Sequence, residues 1–235
     1  PGTTRDAIDT FLEWDGRRFI LVDTAGIRRK GKTRQVLDKF SVIMALKALD
    51  RCDVAVLVLD SAQQVSDQDA TVAGYAIDRG KACLILGNKW DLSKEKEISF
   101  DEFEEHVRYR LKFMEYAPVV TVSAKTGLRI DKILPQVEKV YEEYSRKIPT
   151  ATLNECFERA IQKNPMSSYR GKFMKLFYAT QVKKQPPTFK CFLNFPQGIH
   201  FSYRRYLINS LRKTFGFAGT PVRLILSGKR KGIDT

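Results

Sequence analysis

Short apolar runs alternate with amphipathic segments through the first 150 residues. Two strand-like runs, residues 7–14 and 17–22, flank Asp15-Gly16, a dipeptide that favours a tight β-hairpin. Further strands are predicted over residues 54–60, 82–87 and 118–122. Helices are predicted over residues 39–50, 66–78, 100–113 and 131–146. Strands that alternate with helices are typical of an α/β domain with a parallel sheet.

The pattern changes after Ile148-Pro149-Thr150, which we expect to stop the preceding helix. Thr152 and Glu155 have the spacing of a capping box and predict the start of another helix. Strands are then predicted at residues 173–182, 188–195 and 222–226, with a helix at 202–215. The order helix, strand, strand, helix, strand predicts a small α+β domain. We therefore expect two domains, residues 1–147 and 151–235.

Charge separates these two regions. The formal net charge is +14, but residues 1–150 carry 25 Lys/Arg against 24 Asp/Glu, whereas residues 151–235 carry 16 against 3. A small domain with so one-sided a charge attracts polyanions, which favours nucleic acid or an acidic protein surface as its partner. A merely solvated, solubilising surface is the alternative.

Cysteine usage and hydropathy predict a cytoplasmic protein. The four cysteines lie far apart, in apolar segments, at Cys52, Cys83, Cys156 and Cys191. They have no paired spacing of a zinc site, so we expect buried free thiols in a reducing compartment. No apolar run approaches the roughly 18 residues that span a bilayer, and no signal-peptide pattern begins the sequence, so no membrane partner is expected.

A polar cluster, Asn88-Lys89-Trp90-Asp91, directly follows the predicted strand at residues 82–87. In open parallel sheets, ligands bind beyond the carboxyl ends of the strands. The Asp91 carboxylate can accept two hydrogen bonds from the ring N–H and exocyclic amine of guanine, an arrangement that adenine does not offer. The cluster therefore predicts a guanine site, although an ordinary Asn/Asp turn also produces such a pattern.

Other predicted strand ends supply groups for the remainder of a nucleotide. Asp23-Thr24-Ala25-Gly26-Ile27 follows the run at 17–22; its Asp23 carboxylate could hold a magnesium shell, and Gly26 lets a backbone N–H approach a phosphate. Thr3 and Thr4 offer hydroxyls that could ligate magnesium. Ser123-Ala124-Lys125 could cover the base. All the motifs in order, each at a strand end, favour a GTP site over chance.

These motifs resemble those of translation-factor-type GTPases. With Ser202-Tyr-Arg-Arg-Tyr206 and the segment 216–221, nearly the whole chain resembles the second GTPase domain and C-terminal KH-like domain of the Der (EngA) double GTPases. The resemblance implies a P-loop-type GTPase fold followed by a KH-like domain. It implies GTP, GDP and Mg²⁺ as ligands, with K⁺ as a further cofactor. It also implies GTP hydrolysis coupled to assembly of the large ribosomal subunit, with ribosomal RNA, ribosomal proteins and an upstream GTPase domain of the same protein as partners.

Two departures from that pattern concern phosphate binding and hydrolysis. The loop G-x-x-x-x-G-K-[ST] does not occur in the sequence, and in this fold the strand that feeds it is central. We therefore expect a split sheet, residues upstream of Pro1 in the intact protein, and poor GTP binding by these 235 residues alone. Ile27 stands where many GTPases carry a water-orienting Gln, so hydrolysis should be slow, and the sequence names no catalytic group.

A third departure concerns RNA. Gly216-Phe217-Ala218-Gly219 has the letters of a KH GxxG loop but lies between a helix and the last strand, which predicts a helix C-cap and turn. RNA contact is instead predicted for exposed basic residues: Arg204, Arg205, Arg212, Lys213, Lys229, Arg230 and Lys231. The competing hypothesis is a non-catalytic fragment that binds RNA or protein through this basic domain.

Overall fold

The computed structural model describes residues 9–22, 43, 45–93 and 95–228. The chain divides into two compact units, residues 1–141 and 142–235. None of the helices in the described part of the chain is long and apolar enough to cross a membrane.

The first unit begins with the predicted hairpin. Strands β1 (Asp9–Trp14) and β2 (Arg17–Val22) pair antiparallel. Asp15 and Gly16 both adopt positive φ, 48° and 71°, because a two-residue turn that matches the twist of the strands requires left-handed backbone at both positions. The predicted hairpin with its tight turn at Asp15-Gly16 is confirmed.

A parallel sheet forms the body of this unit, in the order β3 (Val54–Asp60), β4 (Ala82–Asn88), β5 (Val119–Thr121). The helices are α1 (residues 45–51), α2 (Asp67–Asp78), α3 (Phe100–Arg110) and α4 (Ile133–Ser145). The central strand β4 is buried along nearly its whole length, as expected for a parallel strand covered on both faces. The predicted α/β class is confirmed.

Two serines start helices in this unit. Ser66 accepts a hydrogen bond from the Asp69 N–H, and the Asp69 carboxylate accepts one from the Ser66 N–H. Ser99 and Glu102 form the same reciprocal pair at the start of α3. Each capping box satisfies two backbone donors that a helix start otherwise leaves unpaired.

The sheet of this unit is split, as the sequence predicts. In the described residues, the hairpin β1–β2 does not pair with β3, and β3 is an edge of the three-stranded sheet. Its Val58 is 58% exposed, unusual for an apolar residue of a parallel strand. A groove of about 940 Å³ is lined by β2, α1, β3 and α4, and its walls include Phe19, Leu21 and Val56.

The second unit contains the end of α4 and the elements α5 (Thr150–Lys163), β6 (Leu176–Lys183), β7 (Thr188–Leu193), α6 (Phe201–Phe215) and β8 (Arg223–Gly228). Strands β6 and β7 pair antiparallel, whereas β7 and β8 pair parallel. Helices α5 and α6 cover one face of this sheet, and Phe157, Phe189 and Leu211 lie in the core between them. The predicted α+β order is confirmed.

One predicted helix start is wrong. Helix α5 begins at Thr150, with Pro149 as its N-cap, so Thr152 lies inside the first turn and caps nothing. The fixed φ of proline and its missing N–H suit the entrance of a helix, and the N-cap therefore lies three residues upstream of Thr152.

Candidate functional site

The carboxyl ends of β3, β4 and β5 meet at one edge of the parallel sheet, because parallel strands in register end on the same side. Ser61, just after β3, donates its backbone N–H (2.9 Å) and its hydroxyl (2.8 Å) to the Asn88 carbonyl at the end of β4. Trp90 N donates to the Val122 carbonyl beyond β5 at 3.0 Å. These bonds bring together the loops that the sequence singles out.

Asn88 joins two of the predicted motifs. Its side-chain Oδ1 accepts a hydrogen bond from the Ala124 N–H at 3.0 Å. The amide thus fixes the loop after β5 against the end of β4, and the backbone of Ala124 is held beside the Asn88-to-Asp91 turn. Lys125 follows on the exposed side of that loop.

Asp91 is held by Ser123. The Ser123 hydroxyl donates to Asp91 Oδ1 at 2.6 Å, and Ser123 Oγ itself accepts a hydrogen bond from the Thr126 N–H at 3.2 Å. Ser123 is fully buried, whereas Asp91 is only half-buried. The short bond to a charged acceptor orients the carboxylate while leaving it reachable from solvent.

Lys89 turns the chain and pairs with a strand end that sequence reasoning missed. Its φ of 64° is left-handed, a conformation uncommon for residues other than glycine, and functional sites are enriched in such backbone. Lys89 Nζ lies 2.7 Å from Asp60 Oδ2 at the end of β3. The sequence did mark Asp60 as a candidate, because it is the one polar residue in the run 54–60 and stands at its end.

Trp90 packs on the inner side of the site. Its ring contacts Phe103 edge-on, with ring centroids 5.7 Å apart, and Phe100 at 6.5 Å. Gly87 lies under the same ring cluster: a Cβ there would come within 2.6 Å of the Phe103 ring. The aromatic cluster therefore supports the turn from behind and requires a glycine before Asn88.

Several predicted ligands lie outside the described residues. These are the magnesium candidates Thr3, Thr4 and Asp23, the phosphate segment Thr24, Ala25, Gly26 and Ile27, and the basic residues Lys229, Arg230 and Lys231. In the part of the chain that the structure describes, no cluster of three or more His, Cys, Asp or Glu side chains could hold a metal ion.

The basic residues of α6 differ in what they contact. Arg204 Nη2 donates to the Leu224 carbonyl at 2.6 Å. Arg212, which we expected outside, is half-buried and donates to the Phe217 and Thr220 carbonyls at 2.8 and 2.7 Å. Both guanidinium groups therefore hold the last strand and the loop before it.

Arg205 and Lys213 are exposed. Among the described residues, no hydrogen bond from their charged groups is seen, so these two remain the predicted RNA contacts on α6.

The Gly216–Gly219 segment is a helix C-cap and turn, as predicted. Gly216 N donates to the Arg212 carbonyl at 2.8 Å, and Gly216 and Phe217 have φ of 88° and 63°. Phe217 is fully buried, and its N–H donates to Glu143 Oε2 at 2.6 Å. Gly216 and Ala218 are exposed, but buried Phe217 anchors the segment and its N–H is already bonded, so the segment does not form a free phosphate-gripping loop.

Comparison with known proteins agrees with this geometry. Residues 1–89 match the family model described as 50S ribosome-binding GTPase, and residues 147–226 match the KH-domain-like C-terminal domain of EngA bacterial GTPase enzymes. GTPase Der of Desulforapulum autotrophicum is 49% identical over the whole of this chain and 48% of its own length. The chain belongs to the GTPase Der family.

Other relatives agree. GTPase Der of Geotalea daltonii is 44% identical over 97% of this chain and 52% of its own length, and that of Moorella thermoacetica is 47% identical over 98% and 53%. The chain thus spans about half the length of the Der relatives it matches. A crystal structure of Era with MgGDPNP and a 16S ribosomal RNA fragment aligns with 97% of this chain and 82% of that chain, at 19% identity and with a TM-score of 0.49.

Proposed function

We propose that this chain is the guanine-binding part of a GTPase that binds GTP and GDP and hydrolyses GTP. The observation that carries the proposal is the bond from Ser123 to Asp91, because it fixes a solvent-reachable carboxylate at the carboxyl edge of the sheet. A carboxylate so held pairs with the two adjacent donors of guanine. Ala124, tied to Asn88, supplies backbone beside the base. The nucleotide-binding domain then spans residues 1–147 and the basic domain residues 151–235.

The phosphate and metal half of the site rests on the family pattern. Thr4 and Asp23 are the proposed magnesium ligands, and Thr24 to Ile27 the proposed phosphate contacts; bound magnesium would neutralise phosphate charge. Because the Ile27 side chain cannot orient water, hydrolysis requires another group, a partner or a bound K⁺.

We further propose that one more strand, upstream of Pro1, fills the groove between β2 and β3 and carries the phosphate-binding loop. The split sheet, the exposed Val58 and the apolar groove walls support this strand. The greater length of the Der relatives leaves room for it, and for an upstream GTPase domain.

The test of guanine selection is nucleotide affinity, measured by calorimetry on a chain extended upstream through the phosphate-binding loop. We expect GTP to bind far more tightly than ATP, and Asp91→Ala to remove most of that preference. Asp91→Asn should favour xanthine nucleotides, because its amide N–H₂ donates to the C2 carbonyl of xanthine while its Oδ1 still accepts from Ser123.

The matched control is Asp101→Ala, which removes an exposed carboxylate in the first turn of α3. It should leave the preference for guanine unchanged. Equal affinity for GTP and ATP, or an unchanged preference in Asp91→Ala, would refute the assignment.

We propose that the nucleotide state controls binding to the large ribosomal subunit during its assembly in the cytoplasm, through ribosomal RNA and proteins. The basic second domain supports this partner, as does the ribosome-binding description of the family model that matches residues 1–89.

Filter binding of the extended chain to ribosomal subunits, across a salt series with and without GTP, tests this step. GTP should strengthen binding, and salt should weaken it because lysine and arginine displace counterions from phosphates. Binding that ignores nucleotide would favour the competing hypothesis of a non-catalytic RNA-binding or protein-binding fragment.

A further inference from the structure

The sheet of the second unit has one face packed on helices and one face open. Alternate residues, such as Ala179, Cys191 and Leu224, lie in the core with α5 and α6. The intervening residues point the other way, because side chains alternate along a strand. They form what we call the outer sheet face: Tyr178, Thr180, Lys190, Phe192, Arg223 and Ile225.

An aromatic pair lies on this face. Tyr178 and Phe192 are register partners in β6 and β7, and their rings stack with centroids 4.4 Å apart and planes 17° apart. Tyr178 is still 48% exposed although Phe192 covers one side of its ring. The remaining ring surface is flat, apolar and open to a further planar group.

Positive charge lies on the same face as the pair. Lys190 Nζ lies 5.1 Å from the centroid of the Phe192 ring, and Arg223 is exposed on the same face. Strands β6, β7 and β8 contain no acidic residue, and residues 159–233 contain 16 Lys/Arg and not one Asp or Glu. Negative charge on a partner that covers this face would therefore be attracted to it.

Unpaired RNA fits both features. Its bases present flat surfaces that stack on aromatic rings, and its phosphates pair with lysine and arginine. A duplex would offer its phosphates but keep its bases paired inside the helix, so the aromatic pair would have no base on which to stack. A protein partner would need acidic groups around an apolar patch, and its binding would not require the open face of an aromatic ring.

The position of the Gly216–Gly219 segment strengthens this assignment. Phe217 is buried and its N–H donates to Glu143, and the Gly216 N–H donates to Arg212, so the segment that resembles a KH phosphate loop has neither of these N–H groups free for RNA. Arg204 and Arg212 are likewise engaged with backbone carbonyls. Arg205 and Lys213 remain exposed on α6 for phosphate contact, and the stacking of bases requires another surface.

We infer that the outer sheet face binds unpaired bases of RNA, with a base stacked on Tyr178 and phosphates near Lys190. The inference rests on the proposed ribosomal RNA partner and specifies where and in what form that RNA is held.

Binding of fluorescein-labelled ten-nucleotide single-stranded RNA, measured by anisotropy on the whole 235-residue chain, tests the inference. Tyr178→Ala should weaken binding about tenfold, since the variant loses the aromatic ring on which one base stacks. Tyr178→Phe should bind as the wild type does, because the ring is kept. Lys190→Gln should reduce the salt dependence by roughly one phosphate contact.

Tyr109→Ala is the matched control. Tyr109 is also an exposed tyrosine, with Lys112 Nζ 4.5 Å from its ring centroid, but it lies on the acidic helix α3. Its replacement should not change RNA affinity. Circular dichroism of each variant checks that the fold is kept, and the Tyr178→Phe variant separates ring loss from misfolding.

The outcomes distinguish the two levels of the proposal. RNA binding that is as tight in Tyr178→Ala as in the wild type overturns the sheet-face assignment and leaves the RNA partner standing. Equal affinity of the wild type for single-stranded RNA and its duplex also overturns base stacking. If the wild type binds no RNA, both the assignment and the RNA partner fail, in favour of a protein partner for this face.

Discussion

Replacing Gly87 with alanine tests whether the aromatic cluster supports the candidate site. Gly87 lies in the central strand, and an added Cβ would be 2.6 Å from Phe103 Cε1 and 2.8 Å from Cζ. Real carbon contacts are not that short, so the ring must move. Phe103 is buried and packs edge-on against Trp90, which blocks an easy displacement.

The expected cost follows from two opposed effects. Overpacking of a core costs about 1–3 kcal/mol, whereas replacing glycine with alanine in regular structure recovers about 0.5–1 kcal/mol. We therefore expect Gly87→Ala to lower the free energy of unfolding by roughly 1–2 kcal/mol. The displaced ring should also shift Trp90 and change its fluorescence.

Urea unfolding followed by tryptophan fluorescence measures this effect. The two tryptophans of the chain, Trp14 and Trp90, both lie in the first unit, so the signal reports on that unit alone. Gly74→Ala is the control: a Cβ there has no atom within 4 Å, and the residue lies inside α2. This variant should be stabilised by about 0.5–1 kcal/mol. A Gly87→Ala chain as stable as the wild type would refute the packing argument.

Two further predictions concern side-chain hydrogen bonds and buried thiols. The Asn154 side chain accepts a hydrogen bond from the Ala179 N–H at 2.7 Å and donates one to the Ala179 carbonyl at 2.9 Å. Asn154→Ala should therefore destabilise the second unit by about 2 kcal/mol in thermal unfolding followed by circular dichroism. Asn209 is exposed, and Asn209→Ala should have little effect. Burial raises the pKa of Cys83 and Cys191 from 9.0 to about 12. The folded state thus holds these protons more tightly, and their contribution to stability is present below pH 9 and lost as the pH rises towards 12; a urea midpoint that stays constant over that range would contradict this.

The sequence predicted the elements where local chemistry decides them. Asp15-Gly16 specifies a turn because both positions need left-handed backbone, whatever surrounds them. Ser66 and Ser99 start helices through bonds that reach only three residues along the chain. Thr152 shows the limit of such rules, since Pro149 starts the helix earlier and leaves the capping pattern unused.

The loops of the candidate site were also predictable, but their contacts were not. An apolar run that ends in Asn88 to Asp91 identifies a strand end, because a buried strand needs apolar residues and the loop that follows it in solvent needs polar ones. That Ser123 orients Asp91 and Lys89 pairs with Asp60 depends on which strands are neighbours. Residues about 30 positions apart carry no local signal of that adjacency.

The second unit shows most clearly what the sequence determines and what only the tertiary structure determines. Composition alone predicted a basic domain with an anionic partner, because charge is a property of the residues wherever they lie. Only the tertiary structure decided which charges face outward: Arg212 turns back to hold the loop at Phe217, although its helical position suggested exposure. It also decided that Tyr178 and Phe192 stack on an open face, since strand register, not sequence distance, determines which side chains meet.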